Sequence, residues 1–198
     1  MSTPPIVISD AHATWEHPSR GRVGMLCLIS AESAIFTIFV VAYLFYIGRS
    51  LTGPAPKDVL HVPVFFTVCL LSSSLTIHFA VKSLKNTNVG AFALWWFLTL
   101  TLGTFFLAGT AREWRHLIYD EGLTIQTNLF GTTYYSLVGL HAFHVTVGLV
   151  AITTVLLFAL LGYVRQEHAE RVDVLALYWH FVDAVWVVVF TVVYVIGR

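Results

Sequence analysis

The sequence reads as an all-α, polytopic membrane protein: a bundle of five transmembrane helices forming a single membrane domain over residues 1–198. Three observations carry this. Hydrophobic residues make up 57% of the chain and charged residues only 11%, where a soluble domain is about a quarter charged. Mean hydropathy is +0.78, high enough for an integral membrane protein. From Asn128 to Val164 there is no Asp, Glu, Lys or Arg, a run long enough to cross a bilayer with residues to spare. Formal net charge is zero, so the basic footprint of a nucleic-acid partner is missing. Cys27 and Cys69 both fall in apolar segments and read as small buried hydrophobes, with no disulfide or metal framework.

Residues 1–20 are polar and carry Pro4, Pro5 and Pro18. They form a surface tail with an interfacial piece around Trp15, and no positive region followed by an apolar core marks a cleavable signal. The first span covers about residues 23–47 and contains one charge, Glu32, among Ser30, Ala31, Ser33 and Ala34, small residues that favour close helix packing. A loop from Gly53 through Lys57 and Asp58 leads to the second span, about 62–81, where Pro63 is tolerated near the start. Its run Ser72-Ser73-Ser74-Leu75-Thr76-Ile77-His78 can hydrogen-bond back to the helix or across to a neighbour.

The third span covers about 89–111. Trp95 and Trp96 lie near its start as interface anchors, and Arg112-Glu113-Trp114-Arg115 closes it, with Glu113 reading as an interfacial ion pair with its arginine neighbours. The fourth, about 132–164, exceeds the bilayer core at ~1.5 Å per residue and therefore tilts or projects. His141 and His144 sit near its middle, on one face at i, i+3, with Gly148 continuing that face and admitting a neighbouring helix. The fifth, about 174–196, carries Tyr178-Trp179-His180-Phe181-Val182-Asp183. Five spans put the termini on opposite sides. With the N-terminus inside, Arg20, Arg22, Lys82, Lys85, Arg165 and Arg171 face the cytoplasm against Arg49, Lys57, Arg112, Arg115 and Arg198 outside, a narrow positive-inside balance.

The intramembrane polar set is Glu32, His78, His141, His144, His180 and Asp183, with Glu113 at a span end. Such groups are costly in lipid and face a bundle interior or a cavity. Three roles compete for them. They can pair across helices and fix packing; His78, near a span end, can equally be a snorkelling tip. Histidines on facing spans can ligate haem iron, or His141, His144 and a carboxylate can hold a metal, although no His-Glu-x-x-His or CxxC pattern occurs. Glu32 and Asp183 can build an ion or proton path.

Five stretches in order resemble one family, subunit III of the haem–copper terminal oxidases, in its short five-span bacterial form. They are Gly24-Met25 with Ser30-Ala31-Glu32; Ser72 to His78; Glu113-Trp114; Gly139-Leu140-His141-Ala142-Phe143-His144-Val145 with Gly148; and Tyr178 to Asp183 with Trp186. The resemblance covers about Arg22 to the C-terminus. It implies an accessory subunit with no haem, copper or catalytic centre of its own. Such a subunit packs on subunit I, near subunit II and small subunits, in an oxidase whose partners carry haem and copper. It implies bound phospholipid, support of proton uptake and protection against turnover-linked inactivation, with Glu32 as the family's buried, carbodiimide-reactive glutamate. His78, His141, His144, His180, Asp183 and Glu113 then become an interhelical polar network. The setting is the bacterial inner membrane, N-terminus cytoplasmic and C-terminus outside, in an oxidase that can join a supercomplex with its electron donor. Cytochrome c is the commoner donor. A quinol oxidase or an accessory protein of nitric oxide reductase shares the pattern, and a haem-binding membrane cytochrome or a standalone transporter is the alternative of a different class.

Overall fold

The uncharged central stretch forms the longest helix of the bundle. In the computed structural model, which describes residues 19–50, 53–54, 56–60 and 62–197, the elements are α1 (Arg20–Tyr46), a short α2 (Pro56–Val59), α3 (Val64–Lys85), α4 (Val89–Tyr119), α5 (Leu129–Leu160) and α6 (Ala169–Phe190). A 3₁₀ turn, Gln166–His168, leads into α6, and a π turn, Thr191–Ile196, ends it. Among the described residues no strand occurs, and five helices are long and apolar enough to cross a membrane. The chain is an all-α, multi-pass membrane protein. Residues 1–18 of the expected N-terminal tail, with the piece around Trp15, lie outside the described residues.

Side-chain caps fix three of the helix starts. Ser19 accepts from the Arg22 N–H at 3.3 Å, Asn88 from Ala91 at 3.0 Å and Asn128 from Gly131 at 2.8 Å. Each bond satisfies a donor that the first helical turn leaves free. The α5 start is held further by Ser50, whose hydroxyl accepts from the Phe130 N–H at 3.0 Å. Several spans run past the bounds that hydropathy alone indicates. The second continues to Lys85 because lysine heads at a helix C-terminus reach the interface and favour the dipole. The third continues to Tyr119 because Glu113 and Leu117 stay on the packed face, Leu117 with no exposure at all, while Arg112 and Arg115 are exposed.

The α3–α4 hairpin packs along most of its length around a tight turn at residues 86–88, where Thr87 takes a left-handed φ of 58°. Helices α5 and α6 form the centre: α5 touches α1, α4 and α6, and α6 touches α1, α3 and α5. Their buried faces include Tyr134, Val138, Val145 and Ile152 on α5, and Trp179, Val182, Trp186 and Val189 on α6. By contrast, α1 buries only Phe36 and Tyr43. Its apolar remainder costs nothing in lipid, which is as apolar as leucine. Cys69 is buried as expected, but Cys27 is exposed, because it lies on the outward side of this lightly packed helix.

Candidate functional site

A ladder of indole and hydroxyl groups locks α6 to α3. The Trp179 Nε1–H donates to Ser73 Oγ at 2.8 Å, the Ser74 hydroxyl donates to Asp183 Oδ2, and the Trp186 Nε1–H donates to Thr67 Oγ1 at 3.1 Å. The helices run antiparallel, so Trp186, further along α6, meets Thr67, nearer the start of α3. Trp179 is seated by glycine. A Cβ on Gly103 of α4 would fall 2.9 Å from its ring, and one on Gly148 of α5 would fall 2.8 Å from it. One fully buried indole thus touches three other helices, and the close approach expected at Gly148 is made by a tryptophan rather than by a helix backbone.

His144 and Glu32 join α5 to α1. His144 Nδ1 lies 2.8 Å from the Leu140 carbonyl and its Nε2 lies 3.2 Å from Glu32 Oε2. A carbonyl can only accept, so Nδ1 carries a hydrogen. A hydrogen bond between Nε2 and Oε2 needs a proton on one of the two atoms, the imidazole nitrogen or the carboxyl oxygen. Phe36 packs against the imidazole at 5.0 Å, and the Tyr178 hydroxyl donates to the His144 carbonyl at 3.1 Å.

His180 and Asp183 meet at one hydroxyl. Ser74 Oγ is 3.0 Å from His180 Nδ1 and also bonds Asp183 Oδ2. Asp183 is 3% exposed, and its Oδ1 has no hydrogen-bond partner among the described residues. His180 also lines a cleft of about 430 Å³ with Arg22, His78, Lys82, Lys85 and Asp173, at the end of the bundle where α1 and α6 begin and α3 ends. Lys85 pairs there with Asp173 at 3.2 Å. His78 is exposed on the cleft wall and, among the described residues, makes none of the interhelical hydrogen bonds expected of it.

At the opposite end the Tyr194 hydroxyl faces both Glu113 oxygens, at 2.9 and 3.0 Å, with Tyr134 behind it at 3.4 Å. The expected ion pair of Glu113 with Arg112 or Arg115 does not form, because residues one and two positions away on a helix point in other directions. His141 also departs from expectation. Neither of its nitrogens has a hydrogen-bond partner among the described residues. It stacks on Trp186 with centroids 5.0 Å apart, and Phe106 meets it edge-on at 5.8 Å. These rings fill the space a polar partner would need. Trp96 is not an interface anchor either, since it is fully buried and its Nε1–H donates to the Ile152 carbonyl at 2.9 Å.

The expected network is thus three separate clusters: Glu32–His144, His180–Ser74–Asp183 and Glu113–Tyr194–Tyr134. Among the described residues no group of three or more His, Cys, Asp or Glu stands close enough to share a metal ion. Of the ligand set considered from sequence, only His144 and Glu32 meet. Tyr194, Tyr134 and Ser74's bridging role were missed, although the Ser72–Ser74 run signalled the last.

The sequence matches the family model for cytochrome c oxidase subunit III over residues 12–198. Cytochrome c oxidase subunit 3 of Alkalihalophilus pseudofirmus is 34% identical over 190 residues, spanning 91% of this chain and 92% of that protein. The protein of the same name from Synechocystis is 37% identical over 191 residues, 94% of this chain and 80% of the relative. That of Bacillus subtilis is 33% identical over 177 residues, 88% and 86%.

Proposed function

The chain belongs to the cytochrome c oxidase subunit III family, and from that premise we propose that it is the non-redox accessory subunit of a proton-pumping haem–copper oxidase in aerobic respiration. The observation that carries this is the near-complete span of the match, which reaches from the N-terminal tail to the last residue of the chain. Haem, copper and the reaction of oxygen belong to partner subunits. This chain packs on subunit I, holds phospholipid against its apolar flanks, and supports proton uptake and the working life of the enzyme in the bacterial inner membrane. Cytochrome c is the proposed donor, as the names of the relatives suggest.

The Glu32–His144 pair is the proposed proton-related site. It keeps one exchangeable proton between two groups at the α1–α5 contact, and Glu32 retains 22% side-chain exposure, enough for access from outside the bundle. The remaining polar groups act as helix-to-helix bonds. A carboxylate or hydroxyl that lost its partner in the apolar interior would cost about 1–3 kcal/mol, so each bond favours one helix arrangement over others.

The test is affinity purification of the tagged chain from membranes in mild detergent, with an optical spectrum and oxygen-consumption assay on the eluate. Co-purification of haem and oxygen reduction is expected, with the haem staying with the partner subunits when this subunit is stripped away. Reduced cytochrome c should drive the reaction; turnover with quinol alone would instead assign a quinol oxidase. A colourless chain purified alone would overturn the assembly, and a Soret band kept by the chain alone would make it a haem protein.

A further inference from the structure

The His180–Ser74–Asp183 cluster has a feature that helix packing does not require: it connects a cleft lined by charged side chains at the bundle end to a carboxyl group in the bundle interior through atoms that can all pass a proton. We propose that Asp183 is an internal proton-accepting site, loaded from the cleft lined by Arg22, His78, Lys82 and Lys85 through His180 and the Ser74 hydroxyl.

The geometry defines two states of one hydrogen-bond chain. Ser74 Oγ has one hydrogen and stands within bonding distance of both His180 Nδ1, at 3.0 Å, and Asp183 Oδ2. When Asp183 is ionised, Ser74 donates to Oδ2 and the His180 Nδ1–H donates to Ser74. His180 Nε2 is then left as an acceptor, and His180 lines the cleft. A proton from cleft water binds Nε2, the Nδ1 proton passes to Ser74 Oγ, and the Ser74 proton passes to Oδ2. The product has Asp183 as a carboxylic acid donating to Ser74, Ser74 donating to Nδ1, and the hydrogen of His180 on Nε2. One proton has left the cleft, one carboxylate has become a neutral acid, and the imidazole has changed tautomer without a net change in its own charge.

An ionised Asp183, 3% exposed, would keep Oδ1 without a partner among the described residues, and an incompletely bonded buried carboxylate is costly. The charged and titratable groups around the entrance are Arg22 of α1, His78, Lys82 and Lys85 of α3, and Asp173 of α6, the last held by Lys85. The other titratable groups on or against this last span are Tyr178 of α6 itself, Glu32 of α1, His141 and His144 of α5, and Glu113 of α4; Glu32 bonds His144, and Glu113 is held by Tyr194. The relay opens toward the cleft end, as a proton store that fills and empties on that side.

Infrared spectroscopy of the chain purified in its native assembly, carrying aspartate with an isotope-labelled carboxyl, tests this. A label-sensitive carboxylic-acid C=O band is expected at neutral pH and should vanish in Asp183→Asn. On transfer to heavy water the band should shift quickly in the parent and about tenfold or more slowly in Ser74→Ala, with His180→Asn slowed likewise. Absence of such a band from neutral to mildly acid pH would overturn the proposal. So would exchange in Ser74→Ala at the parent rate, which would leave Ser74 as a packing contact alone. If Asp183→Asn does not assemble, the parent band and its Ser74 dependence still decide the matter.

Discussion

At Glu32 the consequences of removing a charge and removing a hydrogen-bond partner can be separated. The His144 Nδ1–H is committed to the Leu140 carbonyl, so Nε2 needs a donor whenever the imidazole is neutral. Glu32→Gln supplies one from its amide and should keep the α1–α5 contact, with thermal stability unchanged, while the exchangeable proton is lost. Glu32→Ala leaves Nε2 unpaired in a site only 7% exposed and should cost about 1–3 kcal/mol. Proton uptake by the reconstituted oxidase should fall, or its turnover lifetime shorten, in both variants, but only Ala should melt earlier. Parent-like uptake and lifetime in Glu32→Gln would remove Glu32 from any proton role. At this scale the sequence made the costly groups visible and concealed their pairing. Glu32 and His144 are 112 residues apart, and nothing in either span's periodicity chooses α5 over α6 as the neighbour of α1. Nor could the i, i+3 spacing of His141 and His144 show that one meets a carboxyl and the other only rings, because their surroundings are set by Phe36, Phe106 and Trp186 from three other helices.

Between elements, the seat of Trp179 is the contact most sensitive to volume. Gly148→Ala would place a methyl 2.8 Å from the indole, and the ring cannot retreat, because Gly103 lies against it and Ser73 holds its nitrogen. Overpacking of this kind costs about 1–3 kcal/mol. Gly24→Ala on α1 is the control. Nothing lies within 4 Å of its added Cβ, and the better helix propensity of alanine is worth about 0.5–1 kcal/mol. Thermal denaturation of the two variants in the same detergent should move in opposite directions. Equal midpoints would show that α5 and α6 can slide to accept the methyl. The five apolar spans and Gly148 were readable beforehand because length and small-residue spacing are local properties. The extension of α4 to Tyr119 was not, since charged residues end a hydropathy window without ending a helix. Only tertiary contact tells that Glu113 turns inward to Tyr194 while Arg112 and Arg115 do not.

For the whole molecule, the distribution of charge between its two ends bears on its orientation in the membrane. Arg22, Lys82 and Lys85 gather around one cleft at the end where α1 and α6 start, whereas Arg112 and Arg115 at the other end line a broader cleft beside His116, Asp120 and Glu113. Cationic groups are retained on the cytoplasmic side, so the first end is expected inside, with the 161–168 connection inside and the 120–128 connection outside. Gln126 and Glu167 are exposed in these two connections and offer sites for single cysteines, in a chain whose own Cys27 and Cys69 are replaced by alanine. A membrane-impermeant maleimide added to intact cells should label Gln126→Cys at once and Glu167→Cys only after the membrane is opened. The reverse pattern would invert the chain. It would turn the His180 cleft toward the outside, so that any proton held at Asp183 would come from the side to which an oxidase releases protons. Labelling therefore tests more than topology: it decides whether the Asp183 site can draw on the same proton pool as the catalytic subunits.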